Sequence, residues 1–229
     1  MVCFFLCSSD QPQAVKAKGM KNAQYSQFMD MAGMPHTFAL GLKDAPCQEP
    51  KCCILGACGT PCCLTPMWAR KAVLDKYGNG IQDFVFFQNV IPGCCCLDFA
   101  TICPGSEVGL ALEACCCPMI SLSVARIHMM RAKQIRPDPM DWQIIECSNF
   151  LQIVSCILDL AASATDVPAL DQAALIVDII ADAFTLSVAG CMAAQVHHEI
   201  MKGPPVVHGV PVVMQAIVVP PPTVSMTRA

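Results

Sequence analysis

The chain has 229 residues and a mass of 24.5 kDa, enough for one domain with a sizeable core and flanking segments. Apolar residues make up 55%, charged residues only 14%, the formal charge is -4 and the mean hydropathy is +0.51, which excludes a disordered polar chain and a basic nucleic-acid binder. A membrane-associated protein or an unusually apolar globule remains, and eighteen cysteines need an explanation in either case.

The N-terminal residues Met1 to Cys7 place no Lys or Arg before the short run Phe4-Phe5-Leu6, and Ser8-Ser9-Asp10 follow at once. A secretory leader is not expected from this pattern, so a reducing, cytosolic setting is. Cys3 and Cys7 flank the apolar run and suit S-acylation with shallow membrane anchoring; an apolar plug is the structural alternative. Residues 1 to 46 read as an N-terminal segment, with a short helix around residues 22 to 32 and otherwise loop, because Gly19, Gly33, Pro35, Gly41, Pro46 and Pro50 interrupt any long element.

Residues 47 to 202 read as a mainly helical, cysteine-rich domain. Three cysteine clusters lie in it: Cys52, Cys53, Cys58, Cys62 and Cys63; then Cys94, Cys95, Cys96 and Cys103; then Cys115, Cys116 and Cys117. The uncharged stretch Cys52 to Ala69 is broken by Gly56, Gly59, Pro61 and Pro66. Trp68 to Tyr77 reads as a helix stopped by Gly78 and Gly80, and Met119 to Lys133 as another stopped before Pro137 and Pro139. Each follows a cysteine cluster and a proline, and each carries an Ala-Arg pair, ending in Arg70 and Arg126. The two form a weak internal repeat. Gly105 and Gly109 make a Gly-x-x-x-Gly pattern that permits close helix packing.

A long helix starts at Asp138 as N-cap with Pro139 in its first turn and runs to about Ala164. At 100° per residue, Asp141, Ser148, Gln152, Ser155 and Asp159 share one narrow line amid Ile, Leu and Val. After a turn at Thr165 to Pro168 a second helix carries Asp171, Asp178 and Asp182 in the same way, completing an antiparallel hairpin. Acidic residues inside both helices argue against simple spans and for interfacial or re-entrant insertion. The other reading buries both helices in a soluble bundle or homo-oligomer with the aspartates solvated; in a membrane oligomer the same aspartates could line a cation path. From 203 to 229, prolines interleaved with valines read as a flexible, disordered tail.

The segment Cys52-Cys53-Ile54-Leu55-Gly56-Ala57-Cys58-Gly59-Thr60-Pro61-Cys62-Cys63 resembles the cysteine signature of the placenta-specific-gene-eight family, with its cornifelin, plant cadmium-resistance and cell-number-regulator branches; Gly59 and Thr60 are extra to that signature. Cys116-Cys117-Pro118-Met119 looks like a second copy of its Cys-Pro step. Arg126 to Arg131 with Ile135 and Asp141 look like its arginine-rich helix, and Cys191, Gln195 and Glu199 are similar to its closing helix. The resemblance implies a membrane-associated, often self-assembling protein linked to zinc or cadmium tolerance and growth control, at the cytoplasmic face of a membrane such as the plasma membrane.

Thiolates are soft ligands for zinc, cadmium and copper(I). Cys52, Cys53, Cys58, Cys62, Cys63, Cys115, Cys116, Cys117 and Cys191 are therefore the candidate metal-facing or structural thiols, with zinc as the expected ion and His197-His198 as additional donors. Packing as small hydrophobes is the alternative. No P-loop, dinucleotide fingerprint, H-E-x-x-H or G-x-S-x-G occurs, so no enzyme is expected. A role in heavy-metal handling or membrane-linked regulation leads; a soluble zinc-stabilised interaction module is the second class.

Overall fold

The computed structural model describes residues 4–6, 31, 33–89, 93–94, 97–98, 101–165 and 167–203, and helices dominate it. In chain order these are α1 (Ala45–Gln48), α2 (Pro50–Gly59), α3 (Leu64–Tyr77), α4 (Glu107–Cys116), α5 (Pro118–Ala132), α6 (Pro139–Ala164) and α7 (Pro168–Met201). Two 3-10 turns, Gly80–Asp83 and Phe86–Asn89, and a two-residue antiparallel pairing of Gly93–Cys94 with Leu97–Asp98 lie between α3 and α4. The helix expected around residues 22 to 32 lies outside the described residues except for Met31, and the tail does so except for Gly203.

Local chemistry sets the helix ends. Proline occupies the first turn of α1, α2, α5, α6 and α7, where its fixed φ suits the helix and its missing N–H leaves nothing unpaired. The Asp138 carboxylate accepts from the Met140 N–H at 2.8 Å and opens α6, as its sequence position requires. Helices α3, α5, α6 and α7 fall where the caps and breakers predict. Gly56 and Pro66, in contrast, break nothing. Gly56 lies within α2, Pro66 within the first turn of α3, and the chain turns instead by 115° between these two helices. A second bend of 119° separates α4 from α5. The internal repeat is thus a pair of helix-bend-helix units.

Gly56 is needed for packing. A Cβ there would lie 2.9 Å from the Ala193 Cβ and 3.1 Å from the Gly190 Cα, and one at Gly190 would lie 2.3 Å from the Cys53 carbonyl oxygen. Small residues therefore let α2 cross α7 almost backbone to backbone. Gly109 behaves differently from its expected role in helix pairing: its missing Cβ makes room for the Cys103 carbonyl and the Phe84 ring, both belonging to the connection.

Three buried ion pairs tie the helices together, and each acid also accepts from a loop backbone N–H. Arg70 on α3 donates from Nε to Glu113 on α4 at 2.8 Å, while the other Glu113 oxygen receives the Phe87 N–H at 2.6 Å. Arg126 on α5 donates to Asp141 on α6 at 2.7 Å and to the Gln195 amide oxygen on α7 at 2.9 Å. Gln195 donates in turn to Asp141 and to the Leu40 carbonyl, and the second Asp141 oxygen receives the Leu42 N–H at 2.8 Å. Lys133 pairs with Glu199, which also accepts from the Ala39 N–H at 2.7 Å. Around these pairs pack Leu42, Val73, Leu122, Met129, Ile145, Met192 and Val196. From the N-terminal segment, Phe5 joins the same core, pinned by two hydrogen bonds to the Asn149 side chain.

The α6–α7 seam reverses a sequence-based expectation. Buried Asp141, Ile145, Ser148, Gln152 and Ser155 recur on α6 at alternating steps of four and three, which marks a helix-pairing face. That face is polar. Ser148 meets Thr185 at 3.0 Å, Gln152 donates to Asp182 at 3.1 Å, and Ser155 donates to Asp178 at 2.8 Å. Asp178 and Asp182 therefore bond across to the partner helix, Asp178 half-buried and Asp182 still exposed, while Asp159 and Asp171 near the turn are exposed. The outward faces carry exposed Phe150, Ile153, Ile157 and Leu160 on α6 and Leu175, Ile176, Ile179 and Ile180 on α7.

Replacing Arg126 with Met strands the buried Asp141 carboxylate and should destabilise the protein by about 3–5 kcal/mol, read by denaturant titration in mild detergent. Replacing Arg126 and Asp141 together with Met and Leu should recover most of that loss. His128 gives a pH prediction. Burial first, then the Arg70 and Arg131 charges, push its pKa down to about 4, with Asp83 opposing. The unfolded chain takes up this proton first, so stability should be full above about pH 6.5 and fall by about 3 kcal/mol as pH drops towards 4. A His128→Phe variant should lose that part of the acid dependence.

Candidate thiol site at the helix bends

Helix α2 runs antiparallel to the C-terminal half of α7: Cys52 lies against His197, Cys53 against Cys191, and Gly56 against Gly190 and Ala193. Following α2 to its end therefore leads towards the level at which the α6–α7 arm leaves the body. The first bend, with Cys62 and Cys63, lies at that end.

The second bend meets it there: Lys71 pairs with Glu107 at 2.8 Å and Arg70 with Glu113 at 2.8 Å, joining α3 to α4, and Cys63 interacts with Cys115. Cys62 and Cys116 are close enough to act on the Cys63 charge. Cys62, Cys115 and Cys116 are exposed, and Cys63 is half-buried in a left-handed conformation with φ 60°. Burial, then Cys115, and then the Cys62 and Cys116 charges push the Cys63 thiol up to about 11. Exposed Ile54, Leu55, Leu64, Met67, Trp68 and Leu112 surround the bends.

A second group of thiols lies deeper, on the α2–α7 crossing. Cys53 interacts with Cys191, and Cys52 approaches His197 Nδ1 and a Glu49 carboxylate oxygen, each at 3.6 Å. Burial and the Glu49 charge push the Cys52 thiol up. His198 turns to Glu49 at 3.4 Å.

The candidate ligands are thus divided. Cys62, Cys63, Cys115 and Cys116 come together at the bends; Cys52, Cys53 and Cys191 come together on the crossing. Cys58 is exposed on the last turn of α2, and Cys117 begins the second bend. Among the described residues none of these cysteines is in a disulfide, and no group of three or more His, Cys, Asp or Glu is arranged to hold a metal ion. The donor chemistry at the bends suits a soft divalent ion; a closed four-ligand cage is not formed there. Cys3 and Cys7 lie outside the described residues, while Phe5 between them is buried as a plug.

Sequence reasoning overlooked Gln152 and Ser155 as seam partners of Asp182 and Asp178, Thr185 as the partner of Ser148 and Gln152, and Glu113 as the partner of Arg70. Their regular spacing was available; the direction in which the polar line faces was not. Comparison of the chain with protein-family models, curated proteins and solved structures finds no match.

The order of thiol modification checks this geometry. Under alkylation of the folded, reduced protein near neutral pH, exposed Cys58, Cys62 and Cys116 should label first and buried Cys53 last, with equal labelling after denaturation, as read by peptide mass spectrometry.

Proposed function

We propose that this protein inserts its α6–α7 hairpin into a membrane and presents the thiols of its helix bends at the lipid–water boundary, where they take up and pass on soft divalent ions such as zinc or cadmium. The observation that carries the reading is the inverted hairpin. Helices α6 and α7 are 26 and 34 residues long, about 39 and 51 Å, and both are long and apolar enough to cross a membrane. Ser148, Gln152, Ser155, Asp178, Asp182 and Thr185 pair across the seam while isoleucine, leucine and phenylalanine face outward. In water this arrangement wastes burial; in hydrocarbon it is the favourable one, because lipid-facing positions must be apolar and polar groups must find partners within the protein.

Orientation follows from charge. No Lys or Arg occurs between Arg136 and Lys202, whereas Arg131, Lys133, Arg136 and Lys202 flank the base of the hairpin; the turn carries Asp159, Asp166 and Asp171. Basic residues favour the cytoplasmic side, so the body lies in the cytosol with the hairpin inserted from it. The exposed Trp68 and its apolar neighbours support a position of the bends at the interface, where tryptophan is at home. Thiolates of Cys62, Cys63, Cys115 and Cys116 supply soft donors, and Cys58 lies one turn away.

Two measurements test the two parts. The expressed chain should stay with membranes through alkaline carbonate extraction, and Ile157→Arg with Ile179→Arg should release it into the supernatant as folded protein. Recovery of the unaltered chain in the supernatant would refute insertion. The reduced protein in detergent should bind cadmium with thiolate charge-transfer absorption, and serine at positions 62, 63, 115 and 116 should abolish it. Unchanged cadmium absorption in that variant would refute the assignment of these thiols.

A further inference from the structure

We propose that Cys58 and Cys62 are S-acylated, each taking a long fatty-acyl chain from an acyl-coenzyme A, and that these chains enter the bilayer beside the inserted hairpin. The inference rests on the membrane half of the proposed function and does not need metal binding. Its basis is the direction of α2. The Cys52 thiol meets His197 Nδ1 at 3.6 Å, and a Cβ on Gly190 would lie 3.1 Å from the Ala57 Cβ, so α2 runs antiparallel to α7 and its end points towards the arm. Thr185, which meets Ser148 at 3.0 Å at the base of the seam, lies five residues before Gly190, about 7.5 Å along the helix axis. Cys58 follows Ala57 directly and Cys62 follows in the bend, so both thiols come out near the level where the outward apolar run of Phe150, Ile153 and Ile157 begins.

The face of α2 that leads to these thiols is graded along its length. Cys53 and Gly56 are buried towards the body, whereas Lys51, Ile54, Leu55 and Cys58 are exposed and lie on the opposite face at 100° per residue. Lys51 opens that face at the end away from the arm. Ile54 and Leu55 follow, 64% and 72% exposed, then the thiols, with Leu64, Met67 and Trp68 exposed just beyond the bend. A cation, then aliphatic side chains, then thiols among apolar neighbours is the order expected of a helix that descends from water to the surface of a bilayer. S-acylation needs a thiol that is open to the acyl donor and close to a membrane. Cys58 and Cys62 are exposed and meet both conditions; Cys53 is buried, and exposed Cys47 lies on α1, which joins α2 at its far end.

The transfer exchanges one thioester for another. The cysteine sulfur gives up its proton and attacks the acyl carbonyl carbon; a new S–C bond forms, the bond from that carbon to the coenzyme A sulfur breaks, and the departing coenzyme A thiolate takes the proton. No oxidant or reductant enters. Hydrolysis reverses the modification: water adds to the thioester, the thiol returns and a fatty acid leaves.

Each buried methylene adds to membrane affinity, and one acyl chain alone holds a protein only marginally. Here the hairpin supplies the anchor, so the two chains pin the end of α2 to the bilayer surface and fix how the body stands over the membrane. The thiolate, not its thioester, is the metal ligand, so an acylated Cys62 is withdrawn from the thiols assigned to soft ions.

The test expresses the full chain in eukaryotic cells fed an alkyne-bearing palmitate, with the membranes washed in alkaline carbonate. The expected result is label on the membrane-bound chain that neutral hydroxylamine removes, and acyl-exchange peptide mapping that places it on Cys58 and Cys62. Cys58→Ser with Cys62→Ser should remove most of the label, and Cys47→Ser should leave it unchanged. A chain that stays in the membrane pellet with free thiols at 58 and 62, or with label confined to other cysteines such as Cys3 and Cys7, would overturn acylation here and leave insertion standing. A chain recovered in the supernatant with both thiols free would overturn both. The peptide map of the unaltered chain decides the matter even where a serine variant fails to fold.

Discussion

Everything in this structure is arranged around the guanidinium of Arg126. It reaches Asp141 and Gln195, lies 4.6 Å over the Phe38 ring, and through the acid and the amide holds the backbone at Leu40 and Leu42. A buried charge is costly to desolvate, and the cost is met only where each hydrogen-bonding position has a partner. Here that condition fixes the relative placement of α5, α6, α7 and the loop before α1 at once. Arg70 with Glu113 likewise joins α3, α4 and the Phe86–Asn89 turn, although Arg70 Nη1 is buried without a hydrogen-bond partner, and Lys133 with Glu199 joins the end of α5 to the end of α7. Such pairs add specificity more than stability: an alternative packing of the same apolar helices would leave a charge unpartnered.

With the base of the hairpin fixed in this way, its outer part shows the opposite pattern. In the body the apolar side chains face inward and the ionic groups are sealed among them; along the arm the apolar side chains face outward and serine, threonine, glutamine and aspartate meet in the middle. Both helices of the arm are long and apolar enough to cross a membrane. The thiol-bearing bends stand at the change from one pattern to the other. There they combine solvent-exposed sulfur with an apolar setting, and soft ions and small oxidants both react with sulfur in preference to oxygen or nitrogen.

Much of the helical framework was legible in the sequence because its boundaries are local. Asp138 with Pro139, Pro168, Gly78 and Pro137 announce helix ends through capping and through backbone restriction, effects that act within a turn. The Ala-Arg repeat was legible too, since both arginines occupy equivalent places after a bend. Arg126, Asp141 and Gln195 come together in one buried network, and Glu199 pairs with Lys133 in another. What stayed hidden depends on tertiary partners. Gly56 looks like a helix breaker until α7 is placed against it, and Asp178 and Asp182 look solvated until they are seen bonded to Ser155 and Gln152. Periodicity tells which residues share a face and is silent on what that face meets.

Photolabelling from within the bilayer tests the inverted hairpin most directly. With the protein in liposomes containing a lipid that bears a carbene precursor in its acyl chain, illumination should label Phe150, Ile153, Ile157, Ile176, Ile179 and Ile180, and should spare Ser148, Gln152, Ser155 and Asp178 on the seam. Labelling that reaches the seam residues as readily as the outer ones, or that misses α6 and α7 altogether, would contradict the account.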